Sequence, residues 1–252
     1  MQLAIFFFIT ALIYACIGFG GGSTYNALLI LAGIDYNIVP IIALIANILV
    51  VSGGIRHFAK HGYLQFKATM PWIICSVPAA WLGGWISLPE IAFITILSGA
   101  LFVSALRMLY EQYCTPPTTL NPRHQQFFPR PILGAFLGLL AGLTGIGGGI
   151  FLAPILHLLH WGSARQIAGS CSLFIFVNSL AGLAGQLSKL GGDILLSSIY
   201  PYWLLFPAVL FGGQIGSCLG ATRINPRLIT QLTALLILYV ALKLMYRVAT
   251  ML

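Results

Sequence analysis

Of 252 residues, 59% are hydrophobic and only 6% are charged, against about 25% charged in a soluble domain. So few charges cannot cover the surface of a water-soluble globule, which excludes a soluble domain. The formal net charge of +8 sits in short loops and at segment ends, where cytoplasmic Lys and Arg orient a membrane protein, and is therefore not a nucleic-acid signal.

The chain opens on an apolar segment, residues 3–34, with no basic stretch before it and no cleavage site leading to a soluble domain. It reads as part of the membrane body and not as a leader. Within it stands GFGGGSTYNALL, from Gly18 to Leu29. Three consecutive glycines weaken a helix by roughly 1 kcal/mol each relative to alanine. A straight helix over residues 3–34 would be about 48 Å long, well beyond a hydrocarbon core of about 30 Å. Apolar runs of span length follow at 36–55, 68–88 and 91–110. The most polar stretch comes next, QYCTPPTTLNPRHQQFFPR at 112–130, whose four prolines mark a loop. A second broken segment, 131–161, carries GLTGIGGGIFLAPIL from Gly142 to Leu156. Further runs lie at 167–187, 194–221 and 228–248.

The expected fold is all-α: a polytopic helical membrane protein with two homologous four-segment halves, each broken at a triple glycine. The first repeat covers residues 1–111, a polar loop 112–130 and the second repeat 131–252. Four motifs recur in the same order. Residues 20–22 match 147–149, and PIIALIAN (40–47) takes the place of QIAGSCSL (166–173). VPAAWLGGW (77–85) lines up with FPAVLFGGQ (206–214), and ALRMLY (105–110) with ALKLMY (241–246). Internal repeats are a regular feature of transporter folds.

Each broken segment either crosses the membrane, which makes the halves parallel, or re-enters, which makes them inverted. The positive-inside rule gives nine basic residues against three in both schemes, so it does not discriminate. Inverted repeats with broken helices at the substrate site are a common transporter plan and are favoured here.

A helix break in hydrocarbon is tolerated only where protein or a wet cavity satisfies the freed backbone groups. A helix restarting after the glycines aims free amide hydrogens and a positive dipole end at that place. Glycine lets the backbone approach a ligand closely. Together these features describe a site for a small oxyanion bound by neutral donors. The candidate substrate-binding residues are Gly20, Gly21 and Gly22 with Ser23, Thr24 and Asn26 at the first break, and Thr144, Gly147, Gly148 and Gly149 at the second. The competing reading is close helix packing, which suits the four-residue spacing of Gly212, Gly216 and Gly220 better than contiguous glycines.

Other intramembrane polar residues are few. Asn47 shares a face with Ala43, Val50, Gly54 and His57. Cys171, Asn178, Gly182 and Gln186 form a second stripe, with Ser170 and Ser172 close by. The repeat matching puts Asn47 and Ser172 at near-equivalent places. For Asn47, Ser170, Ser172 and Asn178, substrate contact and an interhelical hydrogen bond are both open. His57 and His61 have the spacing of a metal pair but no third ligand, and read as a solvated helix end. The five cysteines form no CxxC pair. Asp35, Glu90, Glu111 and Asp193 all lie near segment ends, unlike the carboxylates of a proton relay. No cofactor or catalytic residue is expected.

The doubled GFGGG…/GIGGG…P arrangement and the joining polar loop resemble the sulfite exporter TauE/SafE family of membrane permeases, over nearly the whole chain. GLTGIGGGIFLAPIL is the most specific piece, and FVNSLAGLAGQL (176–187) is similar to the helix that follows it in that family. Half one departs from the pattern, with Ala27 where half two has Pro154. The resemblance implies a multi-pass inner-membrane transporter of sulfite, an organosulfonate or a related sulfur anion. The expected partners are that small anion and the lipid bilayer. The rival readings are a passive anion channel, an intramembrane enzyme, and an assembly subunit with no substrate.

Overall fold

The structure, a computed structural model, describes residues 2–86, 89–114, 130–159, 161–188, 199–222 and 226–251. The described residues form helices and turns, with no strand among them. The helices are α1 (Gln2–Cys16), α2 (Gly22–Leu31), α3 (Val39–Lys60), α4 (Phe66–Trp85) and α5 (Glu90–Cys114), then α6 (Arg130–Thr144), α7 (Gly149–Leu158), α8 (Ala164–Leu187), α9 (Leu205–Thr222) and α10 (Pro226–Met251). Three of them, α3, α8 and α9, are long and apolar enough to cross a membrane. The two broken segments become pairs of short helices, α1 with α2 and α6 with α7.

Local chemistry sets the boundaries. Pro40 stands in the first turn of α3, where its missing N–H costs nothing. Beyond Lys60 the chain turns at Gly62, which takes φ 73°. The Ser163 hydroxyl accepts from the Gln166 amide and the Gln166 side chain from the Ser163 amide, a capping box that opens α8. The expected span over 194–221 is shorter than the sequence suggests. A 3₁₀ turn at Tyr200–Tyr202 precedes α9, whose helix starts only at Leu205. Pro207 stands in the first turn of α9, where proline is accepted. Residues 189–198, and 115–129 of the connecting loop, lie outside the described residues.

Glycine ladders hold the bundle together. Methyl groups built on Gly134, Gly138 and Gly142 of α6 would run into the carbonyl oxygens of Trp72, Ser76 and Ala80 on α4. Those on Gly212, Gly216 and Gly220 of α9 would do the same to Phe8, Leu12 and Cys16 on α1. These helices touch backbone to backbone, the packing that small residues allow in membranes. The α9 ladder is where the four-residue spacing points; its α6 counterpart is equally plain in the sequence.

The order of these contacts gives helix direction. In both ladders the numbers rise together, so α4 runs parallel to α6 and α1 parallel to α9. Gly182 lies against Ala80, and Gly185 against Trp81 and Trp85, so α8 runs with α4. Gly213 meets Val50 and Gly53 meets Gln214, so α9 runs with α3. Between α3 and α8 the order reverses: Leu44 is near Gly182, Gly54 near Ser172 and Phe58 near Gly169. Hence α1, α3 and α9 point one way, and α4, α6 and α8 the other. Because α1 and α3 share a direction, α2 carries the chain back between them, and α7 does so between α6 and α8.

The outward faces are apolar, with Ile5, Phe6, Ile9, Val103, Ile132, Phe136, Phe211 and Ile215 exposed. Among the described residues every buried polar side chain is uncharged. Arg165 closes one end of the bundle. Its guanidinium donates to the Tyr63 hydroxyl at 3.1 Å and to the Thr222 carbonyl at 3.4 Å, and lies 5.5 Å over the Tyr63 ring.

Gly138→Ala and Gly216→Ala are expected to cost about 1–3 kcal/mol each by forcing paired backbones apart. Gly99→Ala is the control, since nothing stands within 4 Å of its added methyl. Thermal melts of the purified variants in detergent check this; an unchanged melt for Gly138→Ala would refute the ladder.

Candidate functional site

Each glycine break combines left-handed backbone with a fresh helix start. Gly18 and Gly21 have φ of 79° and 89°, and Gly145, Gly147 and Gly148 have φ of 70°, 82° and 80°. Side chains avoid that region, and glycine does not. The first hydrogen bond of α2 runs from the Tyr25 amide to the Gly21 carbonyl at 3.0 Å. In α7 the Phe151 and Leu152 amides both reach the Gly148 carbonyl at 3.1 Å. The amides of Gly22, Ser23 and Thr24, and of Gly149 and Ile150, therefore precede the ladder of their own helix.

The two breaks meet at Asn47, which is 0% exposed. Its Nδ2 donates to the Ile146 carbonyl at 3.0 Å and to the Gly145 carbonyl at 3.4 Å. A methyl on Gly20 would collide with Asn47 Oδ1, and one on Gly22 with Nδ2. A methyl on Gly147 would come to 3.1 Å from the same Nδ2 and 2.8 Å from Ser179 Oγ. One asparagine amide thus fills the space that side chains at Gly20, Gly22 and Gly147 would need.

Cross-linking continues around this point. Ser172 Oγ donates to the Gly18 carbonyl at 2.9 Å and to Ala168 in its own helix at 3.0 Å. Asn47 on α3 holds the second break while Ser172 on α8 holds the first. Asn26 Nδ2 donates to the Thr144 carbonyl, again joining α2 to the second break. The Thr24 and Tyr14 hydroxyls are 2.7 Å apart, and the Tyr25 ring stacks on Phe7 at 4.5 Å.

Of the residues singled out in the sequence, Gly20, Gly22, Asn47 and Gly147 converge directly. Gly21 packs on the Tyr25 ring, Gly148 on Phe174 and Gly149 on Ile175. Thr24 is engaged with Tyr14, and the Thr144 hydroxyl bonds to Leu140 of its own helix at 2.6 Å. Asn178 donates to Phe174 of its own helix at 2.8 Å. Neither Asn178 nor Ser170 is among the nearest neighbours of the break glycines. Sequence reasoning passed over Ser179 and the carbonyls of Gly18 and Gly145. Ser179 lies one turn beyond Ile175 on α8, beside the stripe of Cys171, Asn178 and Gly182, so a slightly wider stripe would have included it.

The buried polar surroundings consist of neutral donors and acceptors. Asn47 Oδ1, Asn26 Oδ1, Ser23 Oγ and Ser179 Oγ are buried without a hydrogen-bond partner. Two helix N-termini, each equivalent to about half a positive charge, open onto this cluster. Such an arrangement attracts negative charge without any cationic side chain.

The family model described as Sulfite exporter TauE/SafE matches residues 3–244. The chain is 33% identical over 245 residues to the probable membrane transporter protein y4hK of Sinorhizobium fredii, covering 97% of each chain. No solved structure matches the chain.

Asn47→Ala strips the Gly145 and Ile146 carbonyls of their donor and is expected to cost about 1–3 kcal/mol of stability. Ser172→Ala, which frees one carbonyl of the other break, is expected to cost less, about 1 kcal/mol. Chemical denaturation in detergent, followed by near-ultraviolet circular dichroism, measures both. Equal stability of Asn47→Ala and the parent protein would contradict the pinning role.

Proposed function

The chain belongs to the sulfite exporter TauE/SafE family, and from that premise we propose that it is a secondary permease carrying a small anion across the inner membrane. The substrate is sulfite, an organosulfonate or a related sulfur oxyanion. The observation that carries this reading is the meeting of two helix N-termini at Asn47, with only neutral side chains buried around them among the described residues. The anion is held by the amides that follow Gly21 and Gly148, with Ser23 and Asn47 beside them.

Residues 1–111 and 131–252 act as inverted repeats joined by the 112–130 loop. The opposed directions of α1 and α6, α3 and α8, and α4 and α9 support that assignment. With the site wholly buried, transport proceeds by alternating access, one repeat rocking against the other about the fixed glycine breaks. Arg56, Lys60, Lys67 and Arg165 lie where α3 ends and α4 and α8 begin, so that end faces the cytoplasm under the positive-inside rule. The Arg165 contacts with Tyr63 and Thr222 then close the cytoplasmic side.

Two measurements test this reading. A ligand that binds only the native state raises its melting temperature. A sulfur oxyanion or sulfonate is expected to do so, and Gly21→Ala or Gly148→Ala protein that still melts cooperatively is expected to lose the shift. Proteoliposomes should then show saturable counterflow at carrier rates; single-channel currents far above those rates would favour a passive channel instead.

Orientation has a separate test. Single cysteines at Gln2 and Asn37, both exposed, are expected to react with an impermeant thiol reagent from outside the cell, and one at His61 only after permeabilisation. Labelling of Gln2 and Asn37 from opposite sides would mean that the first segment crosses the membrane.

A further inference from the structure

Resting on the anion site just described, we propose that it takes an oxyanion in its singly protonated, monoanionic form and rejects the dianion. Two independent observations lead to this substrate class, one from charge and one from hydrogen bonding.

The charge argument is one of matching. The N-termini of α2 and α7, helices of 10 residues each, together supply the equivalent of at most about one positive charge, because the C-termini of α1 and α6 bring negative dipole ends to the same breaks. Among the described residues no charged side chain is buried to add to it. A monoanion is therefore the most that this field can balance, whereas a dianion keeps an uncompensated charge in a water-poor interior, where such a charge is costly.

The hydrogen-bond argument turns on Asn47. Its Nδ2 is engaged by the Gly145 and Ile146 carbonyls, which fixes the orientation of the side-chain amide. Oδ1 must then face Gly20 in the first break, where a methyl would collide with it. Oδ1 is an acceptor only, fully buried and without a partner. Asn26 repeats the pattern, with Nδ2 on the Thr144 carbonyl and Oδ1 buried and unpartnered. A site with amide donors and unpartnered buried acceptors is complementary to a ligand that both accepts and donates. A fully ionised oxyanion has no proton to give Asn47 Oδ1 and meets it with lone pair against lone pair. A hydrogen oxyanion offers its O–H there and its remaining oxygens to the amides. Ser179 Oγ, buried and unpartnered beside Gly147, adapts to either role.

The experiment varies the ligand and leaves the protein intact, so folding of a variant is not at issue. Binding to the full chain in detergent is measured by calorimetry for sulfite, methanesulfonate and sulfate, across pH values on both sides of the second ionisation of sulfite. Methanesulfonate is a monoanion with no proton, and sulfate is a dianion throughout. The expected result is a sulfite affinity that falls tenfold per pH unit above that ionisation. Methanesulfonate should bind at least tenfold more weakly with no pH trend, and sulfate should not bind. The flat methanesulfonate profile shows that the protein itself is not titrating. Sulfite affinity that rises with pH, or sulfate binding as tightly as sulfite, would overturn the preference for the monoanion while leaving the anion site standing. Methanesulfonate binding as tightly as hydrogen sulfite would overturn the role of Asn47 Oδ1. No binding of any of the three would overturn both this inference and the anion reading beneath it.

Discussion

A helix interrupted inside an apolar bundle must find partners for the backbone groups it frees, because no water is there to take them. This constraint organises the centre of the molecule. The carbonyls on the near side of each break are met by side chains from the opposite half: Ser172 for Gly18, Asn47 for Gly145 and Ile146, and Asn26 for Thr144. The amides on the far side belong to new helices and keep their capacity for a ligand. The requirement that stabilises the fold thus also leaves the amides to which the proposed anion site is assigned. Carbonyl acceptors are satisfied on one side of each glycine run, and amide donors are left available on the other.

Composition and periodicity made the helical membrane class legible, because 6% charge leaves no alternative for 252 residues. The broken segments were legible too, since contiguous glycines conflict with both helix propensity and packing stripes. Helix direction was not. It depends on which residue meets which across the bundle, and loop charge gave the same count for crossing and re-entrant segments. The Gly134, Gly138 and Gly142 ladder carried that information only once its partners Trp72, Ser76 and Ala80 were known. Asn47 and Ser172 stood out as buried polar residues. That each one holds the break of the other half is a three-dimensional fact without a local signal, and Ser179 went unnoticed for the same reason.

The two breaks share left-handed glycines and a fresh helix start but not the same side chains around them. The register that pairs Gly20 with Gly147 sets Asn26 against Ala153, and the segment matching 40–47 ends on Leu173 where the first half has Asn47. Both asparagines therefore come from the first half, and both donate to residues 144–146 of the second. One half supplies the amide side chains and the other receives them. A ligand at the proposed site would therefore meet different side chains from the two breaks.

The ladder between α1 and α9 has a consequence for biosynthesis. Phe8, Leu12 and Cys16 meet Gly212, Gly216 and Gly220, so α1 acquires its main partner only after α2 to α8 have been made. Until then α1 lacks the glycine face against which its backbone packs, although Ser172, which meets the Gly18 carbonyl, is made earlier, on α8. Insertion and folding are therefore separate events for this hairpin. The hairpin of α1 and α2 completes its packing only when a helix made after α8 reaches it.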